Sequence, residues 1–191
     1  MPSLKLPDLP SRTDILIVGA GPTGLALAAE LRRQGIETVV VDKVAEGANT
    51  SRAAVVHART LEVLEPLGVV PTMLAEGFKV PVFRVRDRDK ALITIDFQQI
   101  PSSYAFTLMC PQDRTEAILL ARLRALGGEV IRPVEALMPT NTFSQPANSV
   151  FVFRSITRPV GPSAGERDQV FSTFPLVRSI SLMEFLSSIF T

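Results

Sequence analysis

Six consecutive residues, Gly19, Ala20, Gly21, Pro22, Thr23 and Gly24, spell G-x-G-x-x-G, a pattern that lets a main chain wrap a pyrophosphate. Each glycine has its own reason. Gly19 permits a tight turn out of a strand, and Gly21 has no Cβ to hold the backbone away from a phosphate. Gly24 lets a helix pack closely on that strand. The helix opened by the turn offers unpaired N–H groups and a partial positive charge. Asp42 stands 18 residues past Gly24, where a carboxylate accepts hydrogen bonds from an adenosine ribose. A glycine-rich turn without a ligand is the plain alternative, and the acid at this distance argues against it. The fingerprint does not separate FAD from NAD, because both carry an ADP half.

Such a motif needs a strand before it and a strand after its helix. Ile15, Leu16, Ile17 and Val18 form a short all-apolar run, as expected of a parallel strand covered on both faces. Residues 23–34 then read as a helix with Leu25, Ala28, Ala29 and Leu31 on its buried side, and Gly35 stands at the C′ position. Residues 38–42 give the second strand, so the whole has the size of a βαβ unit. Further on, residues 59–67 read as a helix closed by Gly68. Residues 78–97 read as a β-hairpin around the charged turn 86–90. Residues 104–109 suit another strand, residues 111–126 a helix stopped by Gly127 and Gly128, and residues 129–132 a strand. The expected fold class is α/β: a Rossmann-like βαβ domain with an inserted hairpin.

Two more stretches carry polar groups suited to a phosphate-bearing ligand. One is Ser51, Arg52 and Ala53, followed by His57, Arg59, Thr60, Leu61 and Glu62; the other runs from Cys110 and Pro111 through Gln112 to Glu116. Solvated surface residues are the plain reading of both. Taken in this order with the glycine motif, however, the three stretches resemble the FAD-dependent aromatic hydroxylases. These are the single-component flavoprotein monooxygenases that include phenol hydroxylase and para-hydroxybenzoate hydroxylase. The resemblance covers residues 14–137.

That resemblance implies an FAD-binding domain over residues 14–138, after a loose arm at 1–13, with residues 78–110 beginning a substrate-covering sheet. It implies that Arg52 contacts the FAD ribose and phosphate region and that Gln112 bonds the ribityl or pyrophosphate part. The other cofactor residues are Gly19, Gly21, Gly24 and Asp42; Arg59 is a weaker candidate that pairs equally well with a carboxylate. It implies a reaction in which NADPH reduces the flavin and O2 adds to give a flavin hydroperoxide. A hydroxyl then passes to an aromatic or phenolic small molecule, while the protein supplies orientation and a dry pocket. No residue is assigned a catalytic role.

The tail departs from the family. Residues 139–191 hold seven of the eleven Phe and neither an Asp-Gly nor a Gly-Asp pair, the two later motifs of such enzymes. The expectation is a truncated or frame-shifted chain, divergent and not natively folded over 139–191, which leaves apolar sheet edges open and little hydroxylase activity. Leu176, Val177 and Arg178 faintly resemble the V-R that trails the second motif. Leu182, Phe185, Leu186 and Ile189 have the spacing of one helical face.

Composition excludes other classes. With 46% hydrophobic and 20% charged residues the chain of 191 is globular, and its net charge of +1 offers nothing to nucleic acid or an anionic membrane. One cysteine and one histidine leave no disulfide and no metal cluster. No apolar run is long enough for a membrane span, so a reducing cytoplasmic compartment is the default. His57 reads as packed rather than as a base, and Cys110 as a small buried hydrophobe. Tyr104, the sole tyrosine, reads as a strand aromatic or as a residue orienting a phenol. An NAD(P)-dependent oxidoreductase and a non-catalytic flavin-binding regulatory module are the rival functions. The sequence offers no Tyr-Lys or His-Asp set for the first.

Overall fold

The structure, a computed structural model, describes residues 10, 12–46, 54–136, 150–157 and 176–180. The chain divides into two compact units, one of residues 1–48 and 123–191 and one of residues 49–122.

In the first unit, β1 (Arg12–Val18) leads through the glycine turn into α1 (Pro22–Arg33), which is followed by β2 (Thr38–Val41). β1 and β2 are parallel, in the register Ile15 to Thr38 through Val18 to Val41. α1 lies against both strands. It is buried along 24–30, with Leu25, Ala28 and Ala29 nearly inaccessible and Leu31 only half-buried. Pro22 opens the helix at the position where a missing N–H does no harm. Gly35 follows its end at φ 78°, which lets the Gly35 and Ile36 N–H groups reach back to Arg32 and Leu31.

The buried carboxylate of Glu30 accepts two bonds from the Arg33 guanidinium, at 2.7 and 2.8 Å, and one from Gln34 at 2.7 Å. Arg33's hydrogen bond holds the Glu30 pKa below the usual carboxylate value, against the opposing effect of burial. A carboxyl group lowered in the folded state adds stability above its unfolded pKa and loses it as pH falls through the folded value. Glu30→Gln is therefore expected to be less stable than the parent at neutral and alkaline pH, with a flatter acid limb, so that the two stability–pH curves converge as pH falls. Parallel acid limbs for the two proteins in urea melts would contradict this.

Across β2 lies β8 (Val130–Ile131), parallel and paired Val40 to Val130 and Val41 to Ile131. The other side of β1 carries a strand from the tail. β9 (Val150–Thr157) runs antiparallel to β1 along nearly its whole length, and β10 (Leu176–Ile180) pairs antiparallel with β9. The sheet order is β10-β9-β1-β2-β8. The expectation of open apolar sheet edges is corrected for β1, because β9 covers it. The apolar run Val150, Phe151, Val152 and Phe153, a β-forming sequence, supplies the missing neighbour. The apolar stripe of residues 182–189 falls outside the described residues.

In the second unit β3 (Val55–Val56), β7 (Thr107–Met109) and β4 (Phe78–Val80) form an antiparallel sheet with β7 in the centre. Between β3 and β4 stand α2 (Ala58–Leu64), a 3-10 turn over Glu65–Leu67, and α3 (Val70–Glu76), with Leu61, Met73 and Val70 buried. The helix expected over 59–67 thus tightens at Pro66, which has no N–H to continue an α-helical ladder. β5 (Val82–Asp87) and β6 (Lys90–Asp96) form the hairpin, turning at Arg88 and Asp89. The hairpin expected from 78 is corrected: Pro81 separates β4, which joins the other sheet, from β5. α4 (Gln112–Ala125) follows β7, with Ile118, Leu119 and Leu123 buried, Ala121 exposed and Gly127 at φ 77° past its end.

Candidate functional site

The turn after β1 is held in place from the end of β2. Gly19, at φ 105°, is in a region that side chains disfavour, and its N–H donates to the Val41 carbonyl at 2.8 Å. The next N–H, of Ala20, donates to Asp42 Oδ2 at 2.6 Å, while the Val44 N–H donates to Oδ1 at 2.8 Å. Asp42 itself is anchored by its own main chain: its N–H reaches Ile131 at 3.2 Å and its carbonyl accepts from Val134 at 2.8 Å. Asp42 therefore clamps the glycine turn on one side and its own following loop on the other. Each carboxylate oxygen still has acceptor capacity for a hydroxyl, since an ionised carboxylate accepts about four hydrogen bonds.

Gly21 is the residue before α1, in extended conformation at φ −74°, with no side-chain cap on the helix and no acid in its first turn. A Cβ built on Gly21 meets no atom of the described residues within 4 Å. The glycine is thus not required by the protein's own packing; the space it leaves lies in front of a helix start. The N–H groups of Thr23 and Gly24 come before any intrahelical acceptor, and Arg32 and Arg33 complement the dipole at the far end. Gly24 differs. A Cβ there would fall onto the Gly19 carbonyl oxygen and lie 3.4 Å from Ile17 Cγ2, so strand, turn and helix close only around a glycine. Open space at Gly21, uncapped donors and an acid at the end of β2 with acceptor capacity to spare suit a nucleoside diphosphate.

The other two stretches meet within the second unit. Val55 pairs with Met109 and Val56 with Leu108, and the Cys110 N–H donates to the Ala54 carbonyl at 2.6 Å. Ala54 is two residues after Arg52, and Cys110 two before Gln112. Arg52 itself lies outside the described residues. Gln112 is half-buried at the start of α4 and donates through Nε2 to Glu116 at 2.8 Å.

Of the single residues, Arg59 pairs with Glu62 at 3.2 Å, the carboxylate alternative. Cys110 is buried. The packed reading of His57 is corrected: it stands in the extended link between β3 and α2, at φ −80°, and is exposed. Tyr104 is buried and its hydroxyl donates to Glu65 at 2.8 Å. Burial first, and then the Glu65 carboxylate, raise its pKa above the usual phenol value. Glu65 and the Ser102–Glu62 bond beside it were not legible as partners, because nearly forty residues separate each donor from its acceptor. Among the described residues no group of three His, Cys, Asp or Glu could hold a metal, and no helix is long and apolar enough to cross a membrane.

Residues 12–151 match the protein family described as FAD binding domain. The chain is 44% identical over 115 residues to a 6-methylpretetramide 4-monooxygenase of Streptomyces rimosus, covering 59% of this chain and 21% of that protein. It is 40% identical over 155 residues to the 12-dehydrotetracycline 5-monooxygenase/anhydrotetracycline 6-monooxygenase of Streptomyces rimosus subsp. rimosus, covering 79% and 28%. Among solved structures, the OxyS anhydrotetracycline hydroxylase from Streptomyces rimosus superposes with a TM-score of 0.56 at 37% identity, covering 74% of this chain and 27% of that one. The chain thus spans about a quarter of the length of the relatives it matches.

Proposed function

Because the chain belongs to the FAD binding domain family, we propose that it holds the ADP half of FAD on its 19–24 turn, as the cofactor-binding portion of an aromatic-ring monooxygenase. The open space at Gly21, in front of uncapped N–H groups, is the observation that carries this reading. In the proposed complex the Thr23 and Gly24 N–H groups donate to the pyrophosphate, with the helix start contributing its partial charge. Asp42 accepts from the adenosine ribose with the capacity its two main-chain donors leave. Arg52 contacts the ribose and phosphate region, and Gln112 the ribityl or pyrophosphate part. The flavin, once bound, supplies the redox chemistry that puts oxygen on the ring. NADPH is the proposed reductant, as the family resemblance implies, and an aromatic or phenolic small molecule the proposed substrate, in keeping with relatives named as an aromatic compound monooxygenase and a pentachlorophenol 4-monooxygenase. Hydroxylation itself is proposed for the longer architecture those relatives share. The part proposed for these 191 residues is to bind and orient the nucleotide.

The reading is tested by titrating the purified chain with FAD and with NAD. FAD is expected to bind more tightly; NAD binding as tight or tighter rejects the proposal. Gly21→Ala is expected to weaken FAD binding by about ten-fold or more, because its methyl group would occupy the pyrophosphate's approach. Its melting temperature should stay within about 1 °C of the parent, since that methyl touches none of the described residues.

A further inference from the structure

The strands that bring the Ala54 and Gln112 stretches together are very short. β3 has two residues, β7 and β4 three each. A strand that short carries little register information, yet a slip of one residue would turn the buried Leu108 out and the exposed Met109 in. The burial of Leu108 favours one register, and the segment before β7 adds further anchors to it.

The stretch leading into β7 is pinned just before it. Ser102 Oγ donates to Glu62 Oε1 at 2.6 Å and accepts the Tyr104 N–H at 3.0 Å, while the Tyr104 hydroxyl donates to Glu65 Oε1 at 2.8 Å. Ser102 and Tyr104 stand in the bend and turn that precede β7, and their acceptors are three residues apart, Glu62 in α2 and Glu65 at the start of the 3-10 turn that follows it. Arg59, paired with Glu62, and the bond from Ser102 lower the Glu62 pKa, with Ser102 the larger cause. Tyr104 also stands edge-on to Phe106 at 6.2 Å, and Lys79 of β4 lies over the Phe106 ring at 5.2 Å.

We propose that Ser102 and Tyr104, clasped to Glu62 and Glu65, are positioning residues that set the register of β7 and so hold the Ala54–Cys110 end of the sheet, and Gln112 beyond it, in the arrangement that receives the flavin nucleotide. The inference rests on the FAD reading above. It adds that affinity for the part of FAD beyond its ADP half depends on a clasp at the opposite end of β7.

The test uses the full chain and calorimetric titration with FAD and with ADP. Tyr104→Phe and Glu65→Ala are each expected to raise the Kd for FAD about ten-fold and to leave that for ADP within about two-fold. Glu65→Gln, which keeps an oxygen to accept the phenol, is expected to restore FAD binding to within about two-fold of the parent. The chain has one tyrosine and no tryptophan, so without added nucleotide its longest-wavelength near-ultraviolet band, beyond the absorption of its eleven Phe, reports Tyr104 alone. Glu65→Ala should shift that band, and Glu65→Gln should largely restore it. Tyr104→Phe binding FAD as tightly as the parent, or losing ADP to the same degree as FAD, overturns the clasp while leaving the FAD reading intact. A parent chain that binds FAD no tighter than ADP overturns both.

Discussion

Gly24→Ala is expected to lower the melting temperature by about 10 °C, the equivalent of about 3 kcal/mol for a chain of this size. The added methyl would fall onto the Gly19 carbonyl oxygen, which is backbone and not the movable tip of a side chain. Gly19 has little room to retreat: it sits at φ 105° with its N–H bound to the Val41 carbonyl at 2.8 Å. Relief by moving α1 would instead loosen Leu25, Ala28 and Ala29, which are at or near complete burial. Either route sacrifices packing that the first unit depends on. A thermal melt of Gly24→Ala beside Gly21→Ala is the measurement. The two differ by three positions in one motif, yet only the first should move the transition. A Gly24→Ala melt within about 1 °C of the parent would mean that the close approach of turn and helix is not needed.

That contrast marks how far the sequence is legible. The βαβ unit is readable because three independent signals coincide within thirty residues: an apolar run, a glycine pattern and a following acid. The roles of its glycines follow from spacing alone, though spacing does not show that Gly21 faces open space while Gly24 meets backbone. β9 is less readable. Val150 to Phe153 has strand composition, but nothing local says that it pairs with β1, some 135 residues earlier in the chain. Its antiparallel pairing depends on the register of two distant segments. Pro66 and Pro81 were visible in the sequence, and each redraws an element boundary by removing one N–H. The Tyr104–Glu65 and Ser102–Glu62 bonds were not visible, because about forty residues separate each donor from its acceptor and no local pattern pairs them.

Asp42→Ala should cost about as much stability as Gly24→Ala and should weaken nucleotide binding as well. Two main-chain N–H groups would lose their acceptor. That of Ala20 suffers more, because Ala20 is only 2% exposed and water has little access to replace the carboxylate. Hydrogen bonds to a charged acceptor contribute about 1.5–3 kcal/mol each, so a loss of about 3 kcal/mol is expected. The turn that Asp42 holds is also the one proposed to receive the pyrophosphate, so ADP affinity should fall by well over ten-fold, about 1.4 kcal/mol per factor of ten. Asp42→Asn separates the two effects. Its single amide oxygen can accept from Ala20 or from Val44 but not replace both oxygens, and its NH2 would face the other N–H. About half of the stability loss should remain. Binding of ADP and of 2′,3′-dideoxy-ADP then tells whether the acid also touches the ribose. If it does, the parent discriminates between the two ligands and Asp42→Asn discriminates less. If parent and variant treat both ligands alike, Asp42 acts only through the backbone it clamps, and the ribose contact assigned to it is wrong.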